Sequence, residues 1–299
     1  MPSLKDVKSK INGVVKTKQI TKAMYMVASA KLRSSQARIE RFRPYAAKFH
    51  EVLGHLAAHS GEISHPLLEE HKIREKASIL LITSDRGLCG SLNVSLIARA
   101  LDEARTRQAE GKQVEFICVG KKGRAAAAKL GYPIINPPQE GMIGFDYSLA
   151  QRIGRNVTSA YQDLHTDEVV IVYPEFRSIS SQKPLTLNLL PITANVQAQD
   201  SAERADMATN RPGTVPDFLY EPAKGHLLEQ ILPTYIDAQI FRALLDTSAS
   251  ENAARMLAMD NATRNCNELI STLTLLYNKT RQASITSELI DIVGGAEAL

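Results

Sequence analysis

Residues 234–293, TYIDAQIFRALLDTSASENAARMLAMDNATRNCNELISTLTLLYNKTRQASITSELIDIV, contain neither glycine nor proline. A single α-helix of about sixty residues, rising about 1.5 Å each, would run roughly 90 Å, wider than a globular domain of this chain's size. Within it Met259, Ala262, Cys266, Leu269, Leu273, Leu276, Thr280, Ala283, Ser287 and Ile290 follow one another at alternating spacings of three and four. That spacing predicts the seam of a left-handed coiled coil. Gly294 and Gly295 are expected to stop the helix. A seam needs a partner, and the other long helical pattern lies at the opposite end of the chain, so the two termini are expected to pair.

At that opposite end, Leu4, Val7, Ile11 and Val14 keep the same spacing, with Ser3 and Asp6 supplying a cap and an acidic first turn. The seam turns polar over Lys16 to Lys22 and recovers through Met24, Val27, Ala28, Leu32, Ile39 and Phe42. Pro44 should bend or open the helix, which resumes and runs to Gly61. Residues 1–50 hold twelve lysines and arginines against Asp6 and Glu40, so the first helix is a basic rod although the whole chain carries only +4. Such a rod suits a solvated face, an acidic protein surface, nucleic acid or anionic lipid.

Between the helices the period changes. Apolar runs at Ser78–Thr83, Val114–Gly120 and Glu168–Tyr173 read as buried strands, and helical patterns near Asn93–Ala109, Lys122–Leu130 and Asp146–Leu164 alternate with them. Pro184–Ile192 is a candidate edge strand, where proline is tolerated. This alternation predicts a compact α/β domain with a mainly parallel sheet. Residues 195–217 read as a mobile polar loop, Pro222 as a helix restart and Pro233 as a kink. The expected division is 1–60, an N-terminal coiled-coil helix; 77–192, the central α/β domain; 193–219, the loop; and 220–299, the C-terminal coiled-coil helix.

Composition excludes several classes. With 44% hydrophobic residues the chain has an ordinary core content, and no apolar run approaches the roughly 18 residues of a membrane span. The N-terminus enters an amphipathic helix directly, so no signal peptide is expected. The three cysteines lie far apart without metal-ligand spacing, which points to a reducing compartment. The histidines are scattered and predict no metal site. Asp85-Arg-Gly-Leu-Cys-Gly90 and Gly120-Lys-Lys-Gly123 follow strands, but neither completes a phosphate-binding loop, and no cofactor is expected. The first is read as a turn that needs glycine freedom; its Cys89 is the candidate nucleophile if the chain is a thiol enzyme.

The most specific stretch is Ile285-Thr-Ser-Glu-Leu-Ile-Asp-Ile-Val-Gly-Gly-Ala296, preceded by Tyr277-Asn-Lys-Thr-Arg-Gln-Ala283. It resembles the C-terminal signature of the γ subunit of bacterial F-type ATP synthases. The resemblance continues in Ile20-Thr-Lys-Ala-Met24, Met26-Val-Ala, Ser84-Asp-Arg-Gly-Leu-Cys-Gly90 and Ala253-Ala-Arg-Met256. It implies an α/β protein whose long terminal helices form an antiparallel coiled coil, a non-catalytic rotor stalk turning inside three α and three β subunits. The α/β domain would meet the ε subunit and the membrane c-ring, at the cytoplasmic face of the inner membrane, without a span of its own and without nucleic acid. By the same resemblance Lys18, Lys22, Met24, Arg281, Gln282, Thr286 and Glu288 would contact β. Asp85, Arg86, Gly87 and Gly90 would form the foot-domain turn. Leu289, Ile290, Ile292 and Val293 spread around the helix and are read as a bearing tip enclosed by apolar surface. No cysteine pair of the chloroplast redox type is present, and the segment from Thr193 to Asp217 is longer than the simplest bacterial pattern. The alternatives are a basic coiled-coil nucleic-acid binder and an α/β thiol enzyme with helical arms.

Overall fold

The computed structural model describes residues 3–58, 65–71, 74–137, 141–192 and 224–297. The expected loop over 195–217 and the restart at Pro222 lie outside them. The elements in order are α1 (Leu4–Ala58), β1 (Lys76–Ile82), α2 (Leu92–Ala109), β2 (Gln113–Val119), α3 (Lys121–Lys129), α4 (Tyr147–Gln162), β3 (Glu168–Ser178), β4 (Ser181–Leu190) and α5 (Lys224–Glu297). The chain divides into two compact units, one from the described parts of 1–30 and 255–299, the other from those of 31–254. Pro44 and Pro233 both lie inside continuous helices.

In the larger unit the sheet order is β2-β1-β3-β4, with β1 parallel to β2 and β3 and β4 antiparallel to β3. Alternate side chains of each strand enter different cores. Leu80, Ile82, Ile117, Val119 and Ile171 meet α4 through Leu149, Ile153 and Val157 and α5 through Leu232, Ile236 and Leu244. Ile79, Leu81, Phe116 and Val172 meet α2 and α3 through Leu92, Leu96, Ala100 and Ala127. Two-sided burial is why these strands read as continuous apolar runs, and each fully buried Leu or Ile contributes about 1.5–3 kcal/mol.

β3 runs five residues past the expected end at Tyr173, through Pro174 and Phe176 to Ser178. Its last partner on β1 is opposite Val172, so beyond that point only β4 pairs with it and a missing N–H does no harm. On the other edge, the Asn136 side chain takes a strand's place, accepting from Cys118 N and donating to Cys118 O, both at 2.8 Å. Where β1 and β3 begin, Glu168 receives Arg107 Nη2 and Lys112 Nζ at 2.7 Å each. Burial opposes ionisation of Glu168, but the Lys112 hydrogen bond and the Arg107 charge outweigh it and hold the carboxyl below its usual range. Against this sheet α1 and α5 run antiparallel: Ser35 Oγ lies 2.9 Å from Ser248 Oγ, and the Phe42 ring meets Phe241 edge-on at 5.1 Å.

The smaller unit is the pair of helices alone. On α1 the shielded residues include Leu4, Val7, Ile11, Val14, Lys18, Thr21, Met24 and Ala28. Over Lys16 to Lys22 the seam stays shielded and is polar, as the sequence suggested, its members there being Lys18 and Thr21. Thr21 Oγ1 lies 2.8 Å from Thr263 Oγ1, a pairing of the kind worth about 1 kcal/mol. Val27, placed in the seam from sequence, is 56% exposed. On α5 the shielded series is Met259, Ala262, Cys266, Ile270, Leu273, Tyr277, Thr280 and Ser284. Leu269, Leu276 and Ala283, expected in the seam, are exposed, and so are Ser287 and Ile290. Met259, Ala262, Cys266, Leu273 and Thr280 are common to both patterns. Each intervening member shifts by one residue, because Leu269-Ile270 and Leu276-Tyr277 offer apolar neighbours and the partner helix selects between them. Nor do Gly294 and Gly295 stop α5, which continues to Glu297. Glycine in a helix costs only about 1 kcal/mol, so it weakens the helix without forbidding it.

Candidate functional site

The residues expected to meet partners fall on two surfaces. On the helical unit, Lys22 is exposed, whereas Lys18 and Met24 sit half-buried in the seam and present only part of their side chains. Lysine can do this because its stem packs on apolar surface while the ammonium reaches water. On α5, Arg281, Gln282, Thr286 and Glu288 are all exposed. Thr286 Oγ1 donates to the Gln282 carbonyl at 2.9 Å, and Glu288 accepts from Ser284 Oγ at 3.2 Å. These bonds stay within the helix, and neither engages Arg281. Beyond them Leu289, Ile290, Ile292 and Val293 are 56, 65, 68 and 57% exposed. The helix therefore ends apolar around most of its circumference, with nothing among the described residues covering it.

The second surface is the turn after β1. Asp85 is half-buried and ties three segments together: Oδ1 accepts from Lys121 N at 3.0 Å, and Oδ2 accepts from Met142 N and Ile143 N at 2.8 and 3.0 Å. Gly90 supplies a left-handed backbone at φ 60°, and Leu88 adopts φ 63° without glycine's freedom. Arg86 is exposed, and beside the Asp85 tie stand Leu88 and Ile143, 64 and 76% exposed. Sequence reasoning named the glycines and charges of this turn and missed both apolar groups.

Cys89 does not have the surroundings of a nucleophile. It is 1% exposed and accepts a hydrogen bond from Asn93 Nδ2 at 3.2 Å. His65, His71 and His165 are at the end of the sheet where β1 and β3 begin, for His71 Nδ1 is 2.9 Å from Asp167 Oδ1 and His165 precedes β3. Cys89 follows the end of β1, about 20 Å away along a seven-residue strand. Among the described residues no cluster of three His, Cys, Asp or Glu could hold a metal.

A family model described as ATP synthase matches residues 3–299. An ATP synthase gamma chain of Nitratidesulfovibrio vulgaris, strain Miyazaki F, is 56% identical over 299 residues, covering 100% of this chain and 99% of that one. The chain belongs to the ATP synthase gamma-chain family. A second relative of the same description, from Lawsonia intracellularis, is 52% identical with both chains fully covered. The fold is that of the central stalk and c-ring structure of the Tetrahymena thermophila mitochondrial ATP synthase, with TM-score 0.54 and 25% identity over 81% of this chain and 99% of that one. It also matches a chain in the Euglena gracilis mitochondrial enzyme, with TM-score 0.63 and 22% identity over 99% of this chain and 94% of that one. Membership of the gamma-chain family leaves no support for the nucleic-acid binder or the thiol enzyme.

Ile20, Met26 and Val27 on α1 and Leu275 on α5 are 60, 56, 56 and 71% exposed. The signal for them was a surplus of apolar positions beyond those one seam can bury.

Proposed function

We propose that the chain is the non-catalytic central rotor of ATP synthase, coupling proton flow through the membrane ring to ATP synthesis. It turns inside three α and three β subunits, with its sheet domain meeting ε and the c-ring. ATP chemistry belongs to the β subunits. The observation that carries this reading is the tip of α5, where four large apolar side chains, each more than half exposed, sit on a helix paired with a basic partner. A surrounding sleeve covers such a tip, and hydrophobic contact is non-directional, so rotation need not break a fixed set of hydrogen bonds. Among the described residues no helix is long and apolar enough to cross a membrane. As a gamma chain it acts as a peripheral part of the membrane enzyme, and we place it at the cytoplasmic face of the inner membrane. The domain map that goes with this role is 1–60 and 220–299 as shaft, 77–192 as foot and 193–219 as their loop. Co-purification tests the assignment: stoichiometric recovery with three α and three β subunits is expected, and a chain that purifies free of them refutes it.

Two substitutions probe the contacts. In Arg281→Lys the charge remains but the planar fork of donors is lost. Assembly is expected to survive while steady-state turnover falls by about tenfold, the usual worth of a charge-assisted hydrogen bond. Equal rates in assembled complexes remove Arg281 from the site. Met24→Lys adds a cation beside Lys22, and an acidic partner passing it must be released at each step against roughly 1 kcal/mol of extra attraction. ATP-driven ion pumping should fall further than hydrolysis, and an unchanged ratio of ions moved per ATP speaks against a passing acidic partner.

A further inference from the structure

In the sheet-containing unit Asp237 lies on α5, one turn before Phe241. Its Oδ1 occupies the place that a Cβ on Gly154 of α4 would fill, so the carboxyl rests against bare helix backbone. The titratable groups facing it are Tyr147 and Arg155 on α4, with Tyr45 on α1 bonded to the Tyr147 side chain. Phe241 closes one side, meeting the Tyr147 ring edge-on at 5.3 Å. Arg155 is exposed, so its charge reaches Asp237 through solvent. Two small apolar residues would pack these helices as well as a carboxyl on a glycine does; the acid makes the contact responsive to protons.

We propose that Asp237 is a proton-operated latch between α5 and α4. When neutral, the carboxyl lies in the Gly154 notch and the helices stay closed. When ionised, it turns toward Arg155 and water, and the contact loosens. Burial pushes this carboxyl up to about 6, the Arg155 charge pulling the other way. The sign follows from linkage: a raised folded-state value means the proton stabilises the contact, fully below the ordinary value of 3.8 and progressively less as pH rises through about 6. Tyr147, held up at about 12 by burial, Tyr45 and Asp237, keeps its proton throughout this range and does not compete.

Hydrogen exchange of the full chain, corrected for intrinsic chemical exchange and compared at about pH 5 and about pH 8, reads the latch directly. Amides around Gly154 on α4 are expected to be about tenfold better protected at the lower pH, a response discounted for the partial solvent access of Asp237. Asp237→Asn, neutral at every pH and close in shape, should hold the protected value at both. Gly154→Ala fills the notch and should abolish the response while α4 remains helical by circular dichroism. Equal corrected protection in the wild type at the two pH values overturns the proposal. So does an unchanged pH response in Asp237→Asn.

Discussion

Replacing Gly120 with alanine is expected to destabilise the sheet-containing unit by roughly 3 kcal/mol or more, enough to unfold much of the chain. Gly120 joins β2 to α3 at φ 96°. An added Cβ would overlap the Thr83 carbonyl oxygen and lie 2.7 Å from its carbon and 2.9 Å from Thr83 Oγ1. Thr83 cannot give way cheaply: its N–H donates to Val119 O at 2.9 Å, and its Oγ1 accepts from Gly123 N at 2.8 Å. The left-handed backbone adds about 1–2 kcal/mol for any residue with a Cβ. Gly111 separates the two effects, since at φ 84° it has nothing within 4 Å of its would-be Cβ. Gly111→Ala should therefore cost only that backbone contribution, about 1–2 kcal/mol. Urea unfolding of the full-length variants decides it; if the two differ by less than about 1 kcal/mol, the β1–β2 approach is softer than argued.

The central sheet was readable because its strands are buried on both faces. An apolar run such as Ile79 to Ile82 has few other homes, and the order of strands and helices then leaves few topologies. The side-chain ladder of Asn136 was not readable, because an asparagine after Pro133 looks like any turn residue until the strand beside it is in place. Nor was the ion cluster at Glu168, since Arg107 on a helix reads as a solvated charge, yet it is 7% exposed. The coiled coil was legible in kind and mistaken in phase. Local spacing allows two threads through Leu269-Ile270 and Leu276-Tyr277, and the choice depends on α1, more than two hundred residues away. The same ambiguity put Val27 inside and passed over Thr21, whose polarity is satisfied by Thr263. Of the candidate site, the charged and signature residues were named through family resemblance, and the structure speaks only to their exposure. Leu88 and Ile143 were not, because exposure of an apolar residue is a property of the fold and has no local pattern.

Serine at Leu289, Ile290, Ile292 and Val293 together is expected to abolish stable assembly or let the rotor slip, while leaving the isolated chain folded. The second half of that expectation follows from exposure: side chains 56, 65, 68 and 57% open to solvent contribute little to this chain's own stability. On the proposed role their value lies in what encloses them. Burying a large aliphatic side chain is worth about 1.5–3 kcal/mol, so four exchanged for serine remove at most roughly 6–12 kcal/mol from a complete enclosure. Helix propensity changes by only a few tenths of a kcal/mol per position, too little to melt α5. Circular dichroism of the variant should thus match the wild type, while the yield of complex with α and β subunits falls by orders of magnitude. Any complex recovered should hydrolyse ATP with reduced ion pumping. A variant that assembles in normal yield and pumps at the wild-type ratio removes the tip from the bearing. The exposed surface of Ile20, Met26, Val27 and Leu275 would then be the place where the sleeve grips the shaft.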